Sequence, residues 1–197
     1  MISPGDTGVV QGTPGPGYHP LTSGMRWHDY LHSVVGPFAF ITPAIGAGLG
    51  TAGNTPKFWP KTAGGFGQRY GTVFAANVAD QTVKASFSAV LGEDNTYYPC
   101  TCRNIFARTG HAIVTSFLAV NGNGHYTPAI GSFAGAYAAG FTTMGLYGHN
   151  YGVDGGFRLG TTALAGHAVS NIVKEFIGPI FSPHRVQSGM GGPGVSP

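Results

Sequence analysis

Residues 127–147, TPAIGSFAGAYAAGFTTMGLY, decide the fold. They hold no charged side chain, and Gly131 and Gly135 stand four apart, as do Ala136 and Gly140. Runs of alanine and glycine make poor strands. Small residues four apart instead line one helix face and let a second backbone come close. A glycine inside a helix costs roughly 1 kcal/mol relative to alanine, so its repeated use implies contacts that recover the loss. The segment predicts a helix packed tightly on a neighbour. Gly46 with Gly50 and Gly156 with Gly160 repeat the spacing.

Outward from this stretch, no charge occurs between Arg108 and Asp154. The whole chain of 197 residues has ten Lys and Arg against seven Asp and Glu. That is 9% charged, where about 25% is usual for a soluble domain. So few charges can keep little surface in water, and the exterior is expected to be covered by lipid or by other protein chains. The net charge of +3 is spread thinly, without the Lys and Arg cluster that phosphates require, which argues against nucleic-acid binding. A mean hydropathy of +0.08 lies between soluble and multi-span membrane chains. Tyr126–Val153 and Tyr30–Pro56 are each long enough for the ~20 residues of a bilayer crossing. They are built from Gly, Thr and Pro rather than Leu, Ile and Val, so lipid and dense subunit packing both remain open.

The rest of the chain reads as helices. Thr22 or Ser23 can cap Met25–Val35, and Gly36-Pro37 ends it before the uncharged segment 38–52. The periodicity of Val73, Phe74, Asn77, Val78, Gln81, Ala85, Ser88 and Ala89 predicts a helix over Gly67–Leu91, closed by Gly92. Asp80 and Lys84 sit four apart in it, as a surface pair would. Further helices are expected at Asn104–Val120, stopped by Asn121-Gly122-Asn123-Gly124, and at 155–176. Thr-Pro-Ala-Ile-Gly recurs at 42–46 and 127–131 and suggests two similar helix starts. The expectation is an all-α, Gly/Ala-rich bundle of five to six helices over 22–176. Extended Gly/Pro-rich arms occupy 1–21 and 177–197 and are suited to lie across a neighbour.

Chemistry-bearing residues are sparse. His28 and His32 share one helix face at the i, i+4 spacing of metal and haem sites, but local spacing fixes no third ligand. With His111 they form the candidate cofactor-binding set for haem, a pigment or a metal. The favoured expectation is no cofactor and no metal site. Cys100 and Cys102 form a C-x-C pair that could bind a soft metal, form a local disulfide or link chains, a reduced or locally bridged pair being the favoured expectation. Arg108-Thr109-Gly110-His111 and Gly166-His167 invite comparison with phosphate-handling membrane enzymes of the vanadium-haloperoxidase type. The cations that would clamp phosphate are not suitably spaced, and no aspartate follows His167. No nucleotide loop, nucleophile elbow or glycosidase carboxylate pair is present, so no catalytic residue is assigned. Phe58, Trp59, Tyr97 and Tyr98 are candidate interface anchors, alongside Gly131, Gly135 and Gly140. Arg69, Asp80, Lys84, Arg108, Arg158 and Glu175 are few enough that most should be paired, because a buried unpaired charge is costly.

Several blocks together resemble an uncharacterised family of predicted exported proteins common in acidobacteria. They are Arg26-Trp27-His28, Pro56–Tyr70, Leu91–Asp94 with Tyr97–Cys102, Arg108–Ala112 and Lys174–Phe176. The resemblance spans about 26–176 and implies an envelope or extracellular location, with no activity to carry over. Met1–Pro20 has neither a basic nor an apolar leader region, so that location fits a processed form. The combined expectation is a non-catalytic structural subunit of an envelope-associated or extracellular assembly. It would be a homo-oligomer or part of a larger assembly, with lipid contact possible, held by small-residue helix packing and arm exchange.

Overall fold

The computed structural model describes residues 18–100 and 102–181. Helices dominate: α1 (Ser23–Val35), α2 (Pro37–Ala52), α3 (Ala63–Leu91), α4 (Ile105–Val114), α5 (Ile130–Leu146) and α6 (Val153–Phe181). The helical class expected from sequence holds, with one addition. Strands β1 (Leu118–Val120) and β2 (Tyr126–Pro128) form an antiparallel two-stranded sheet, pairing Leu118 with Pro128 and Val120 with Tyr126.

The sheet corrects the helix expected over Asn104–Val120. That helix, capped by the Asn104 side chain on the Phe106 amide, ends at Val114. One 3₁₀ turn, Thr115–Phe117, leads into β1. Asn121–Gly124 is then a hairpin turn, with Gly124 at φ +79° and the Asn121 side chain accepting from the Asn123 and His125 amides. Pro128 ends β2, whereas Pro43 lies inside α2. The repeated Thr-Pro-Ala-Ile-Gly is therefore not a repeated helix start. Residues 1–17 and 182–197 of the expected arms lie outside the described residues, and α6 runs through Ile177 to Phe181.

The chain groups into two units. Among the described residues, the first comprises 18–20, Gly92–Ala129 and 165–181. Here the β-hairpin is joined by Asp94, whose backbone N–H and C=O both pair with Val120. The second unit comprises Leu21–Leu91 and Ile130–Leu164, so it holds α1, α2, α3, α5 and the first three turns of α6.

In the second unit, α1 and α2 run antiparallel to α3. Arg26 meets Ser88, Tyr30 meets Thr82, the Ser33 carbonyl accepts from Asn77, and Phe40 stacks on Phe74. Gly46 lies against Val73 and Gly50 against Arg69. The small residues of 127–147 sit where the sequence places them, on a packed face. A methyl group on Gly135 would overlap Asp80 of α3, and one on Gly140 would overlap the backbone of Gly156 and Gly160 on α6. Asp80 is buried there, so the face it shares with Lys84, expected from sequence to be wet or paired, is not wet at Asp80.

Candidate functional site

In the first unit the polar chemistry converges on Glu175. Its carboxylate is 0% exposed and is held from three directions. The Arg108 Nε donates to Oε1 at 2.5 Å while Nη2 donates to the Glu175 carbonyl at 2.6 Å. The Tyr97 hydroxyl donates to Oε2 at 2.6 Å, and the Cys100 amide reaches the same oxygen at 3.0 Å. The guanidinium also lies 4.6 Å from the Phe176 ring centre, a cation–π contact. Helix α4 supplies Arg108, α6 supplies Glu175, and the loop after α3 supplies Tyr97 and Cys100. The cluster thus ties three segments distant in sequence. Burial of such a carboxylate is tolerable because charged and neutral donors replace its lost hydration.

The same loop is fastened at a second carboxylate. Asp94 accepts from the hydroxyls of Tyr98 at 2.8 Å and Tyr18 at 3.3 Å, and from the Thr96 amide at 2.8 Å. Burial, then the hydrogen bond to Glu175, pushes the Tyr97 phenol well above its ordinary ionisation range. Burial and Asp94 do the same for Tyr98. Both phenols therefore serve as fixed donors. Cys100 and Cys102 are joined as a disulfide, and the Cys102 amide approaches the Cys100 sulfur at 3.3 Å.

His111 of α4 is 0% exposed, and its Nε2 lies 3.0 Å from the Tyr98 carbonyl. A carbonyl only accepts, so Nε2 carries the proton, and Nδ1 is buried without a hydrogen-bond partner. His167 is on α6 in the same unit. The Arg108 guanidinium, three residues before His111 in α4, is engaged by Glu175. His28 and His32 lie on α1 in the other unit, and both are exposed. Their rings stack at 6.4 Å, and His28 Nδ1 approaches Asp29 at 3.6 Å. Among the described residues, no group of three His, Cys, Asp or Glu stands close enough to hold a metal ion.

In the second unit the buried cation Arg69 is 3% exposed. Rather than meeting a carboxylate, it donates to five backbone carbonyls, those of Thr55, Pro56, Trp59, Pro60 and Gly65, at 2.8–3.1 Å. The planar fork of a guanidinium suits this, since each N–H can find a separate acceptor. Residues 53–62 between α2 and α3 are thereby folded around one side chain. Trp59 lies 6.0 Å from that guanidinium and 5.0 Å from the Tyr147 ring, with Phe58 against Tyr147 and Tyr151. The sequence marks Phe58 and Trp59 as anchors; the structure groups them with Tyr147 and Tyr151 in their own unit. Of the remaining pairings expected, Arg158 meets Asp154 at 3.6 Å on an exposed helix turn. Gly131, Gly135 and Gly140 are buried.

The arrangement can staple loops to helices. The carboxylates of Glu175 and Asp94 and the guanidinia of Arg108 and Arg69 all have protein partners. Comparison with protein-family models, curated proteins and solved structures finds no match to this chain.

Proposed function

We propose that the chain is a non-catalytic structural subunit of an envelope-associated or extracellular assembly. It associates with copies of itself through apolar side chains that its helices turn outward. One observation carries this reading. Among the described residues, the buried apolar ones are mainly alanines, Ala39, Ala47, Ala112, Ala119, Ala129, Ala136 and Ala139. The large ones stand outside, with Phe38 66%, Leu49 70% and Phe106 82% exposed. A water-soluble domain has the reverse order, with large aliphatic and aromatic side chains filling the core. An exterior of this kind marks surfaces that other molecules cover.

The small-residue contacts at Gly135 and Gly140 lie inside the chain, so association rests on exposed side chains such as Phe106 of the first unit and on the arms. The resemblance to exported proteins supports the envelope location. Light scattering of the purified chain in mild detergent tests the reading. Particles above the 20.3 kDa of one chain, shrinking when residues 1–20 are deleted, support self-association with arm exchange. A monodisperse single chain rejects it. The second reading is a membrane-embedded accessory protein holding haem, a pigment or a metal through His28, His32 or His111. Ser23–Ala52, apolar and long enough to cross a bilayer yet little buried, favours its embedding. An absorbance band or stoichiometric metal in purified material would support it, and colourless, metal-free protein would reject it.

A further inference from the structure

We infer that the second unit sits in a lipid bilayer, with the outer faces of α1 and α2 against acyl chains and an aromatic–basic belt at each end. This deepens the envelope-associated reading and rests on it.

On α2 the exposed positions Phe38, Ile41, Ile45 and Leu49 form one stripe. Ala39, Pro43 and Ala47 are buried on the other side. No charged residue lies between Asp29 and Lys57. At one end of that run stand Arg26, Trp27 and Tyr30, with Trp27 and Tyr30 in ring contact at 5.5 Å. Lys57, Phe58, Trp59 and Lys61 stand at the other, with Tyr147 and Tyr151 completing the aromatic cluster. Aromatic rings and long cations flanking an apolar band are the arrangement that membrane interfaces favour.

The spacing of the belts fits the hydrocarbon. Arg69 marks the level of Trp59 on α3, and Ser88 marks the level of Arg26. They are 19 residues apart on one helix, a rise of about 28 Å, against about 30 Å for the hydrocarbon core. Between these levels α3 carries Asp80, buried against α5, and Lys84, one turn from the Ser88 level. Helix α5 carries no charge, and Asp154 and Arg158 belong to the first two turns of α6, next to the aromatic cluster. A second copy of the chain could cover an apolar stripe. It would not call for belts at this separation.

Trp27 and Trp59 are the two tryptophans of the chain, which makes the inference directly readable. Full-length protein is mixed with phosphatidylcholine vesicles whose acyl chains are brominated at defined depths. Single-tryptophan forms retain Trp27 (with Trp59→Phe), retain Trp59 (with Trp27→Phe), or replace both by Phe and add Val35→Trp. Val35 is 60% exposed and lies roughly midway between the belts. The protein should float with the vesicles, with Trp27 and Trp59 quenched most by shallow bromines and the tryptophan at 35 by deep ones. Phe38→Trp, an aromatic exchange at an exposed site, repeats the deep reading if the Val35 variant folds poorly. Val35→Asp should lower the vesicle partition on the order of a hundredfold. Absent flotation, or equal quenching at every depth, would overturn the inference. So would an emission shift at position 35 that depends on protein concentration and not on lipid, which would place a second copy there. Particle mass measured separately tells failure of self-association from failure of lipid contact, since a lone chain quenched at depth would sink only the former.

Discussion

Arg108→Met should be among the most damaging single substitutions in the first unit. It removes two hydrogen bonds, 2.5 Å to the Glu175 carboxylate and 2.6 Å to its carbonyl, and the contact with Phe176. The carboxylate stays buried, with donors remaining at Tyr97 and Cys100. Breaking a buried pair by removing one partner costs about 3–5 kcal/mol. The two remaining donors put this case near the lower end. At ~2–4 °C per kcal/mol for a chain of this size, the midpoint should fall on the order of 10 °C. Circular dichroism through thermal unfolding in a nonionic detergent measures it, and hydrogen exchange assigns the loss to segments 93–129 and 165–181. The double variant Arg108→Met/Glu175→Met should be less damaged than the single one, because no uncompensated charge is left inside. A single substitution costing under about 1 kcal/mol, or a double variant at least as unstable as the single one, would refute the assignment of Glu175 as a buried carboxylate dependent on Arg108.

Other outcomes follow from the same geometry. Gly140→Leu forces a side chain into the backbone of Gly156 and Gly160; a loss of at least 1–3 kcal/mol is expected, and unchanged stability would deny the α5–α6 contact. Arg69→Lys keeps the charge but loses the fork that reaches five carbonyls. Limited proteolysis should then cut residues 53–62 faster, with Gly50→Ala as a milder perturbation of the same loop. Tyr97 and Tyr98 have raised pKa values in the folded state, so their contribution is fully present below pH about 10, where free phenols titrate. It is lost as pH climbs toward the folded values. Absorbance of tyrosinate should show these two ionising only as the chain unfolds, and Tyr97→Phe/Tyr98→Phe should shrink the late step, to which half-buried Tyr126 and Tyr147 also contribute.

Much of the helical architecture is legible in residue types. Thr22 caps α1 as its position before the apolar run suggests, accepting from the Met25 amide. The four-residue spacing of small residues marks the packed face of α5, because close backbone approach leaves no room for a Cβ. The hairpin is missed for a definite reason. Asn-Gly dipeptides signal both helix ends and hairpin turns, and strands of three residues are too short to show alternation. The Glu175 cluster is half legible: scarce charges are expected to pair, and Arg108 and Glu175 do. That they would pair with each other, 67 residues apart, is set by tertiary packing and has no local signature. Arg69 shows the limit of the same rule, since its partners are carbonyls that every residue carries. The exposure of Asp80 is not legible, because an i, i+4 acid–base pair looks the same whether its helix face meets water or Gly135.

The central claim is that this exterior is made for something other than water. Sedimentation velocity of the full chain in detergent-free buffer tests it most directly. The account predicts large or polydisperse particles that become uniform assemblies, still larger than one chain, when detergent or lipid is added. A single, stable 20.3 kDa species without either would contradict it.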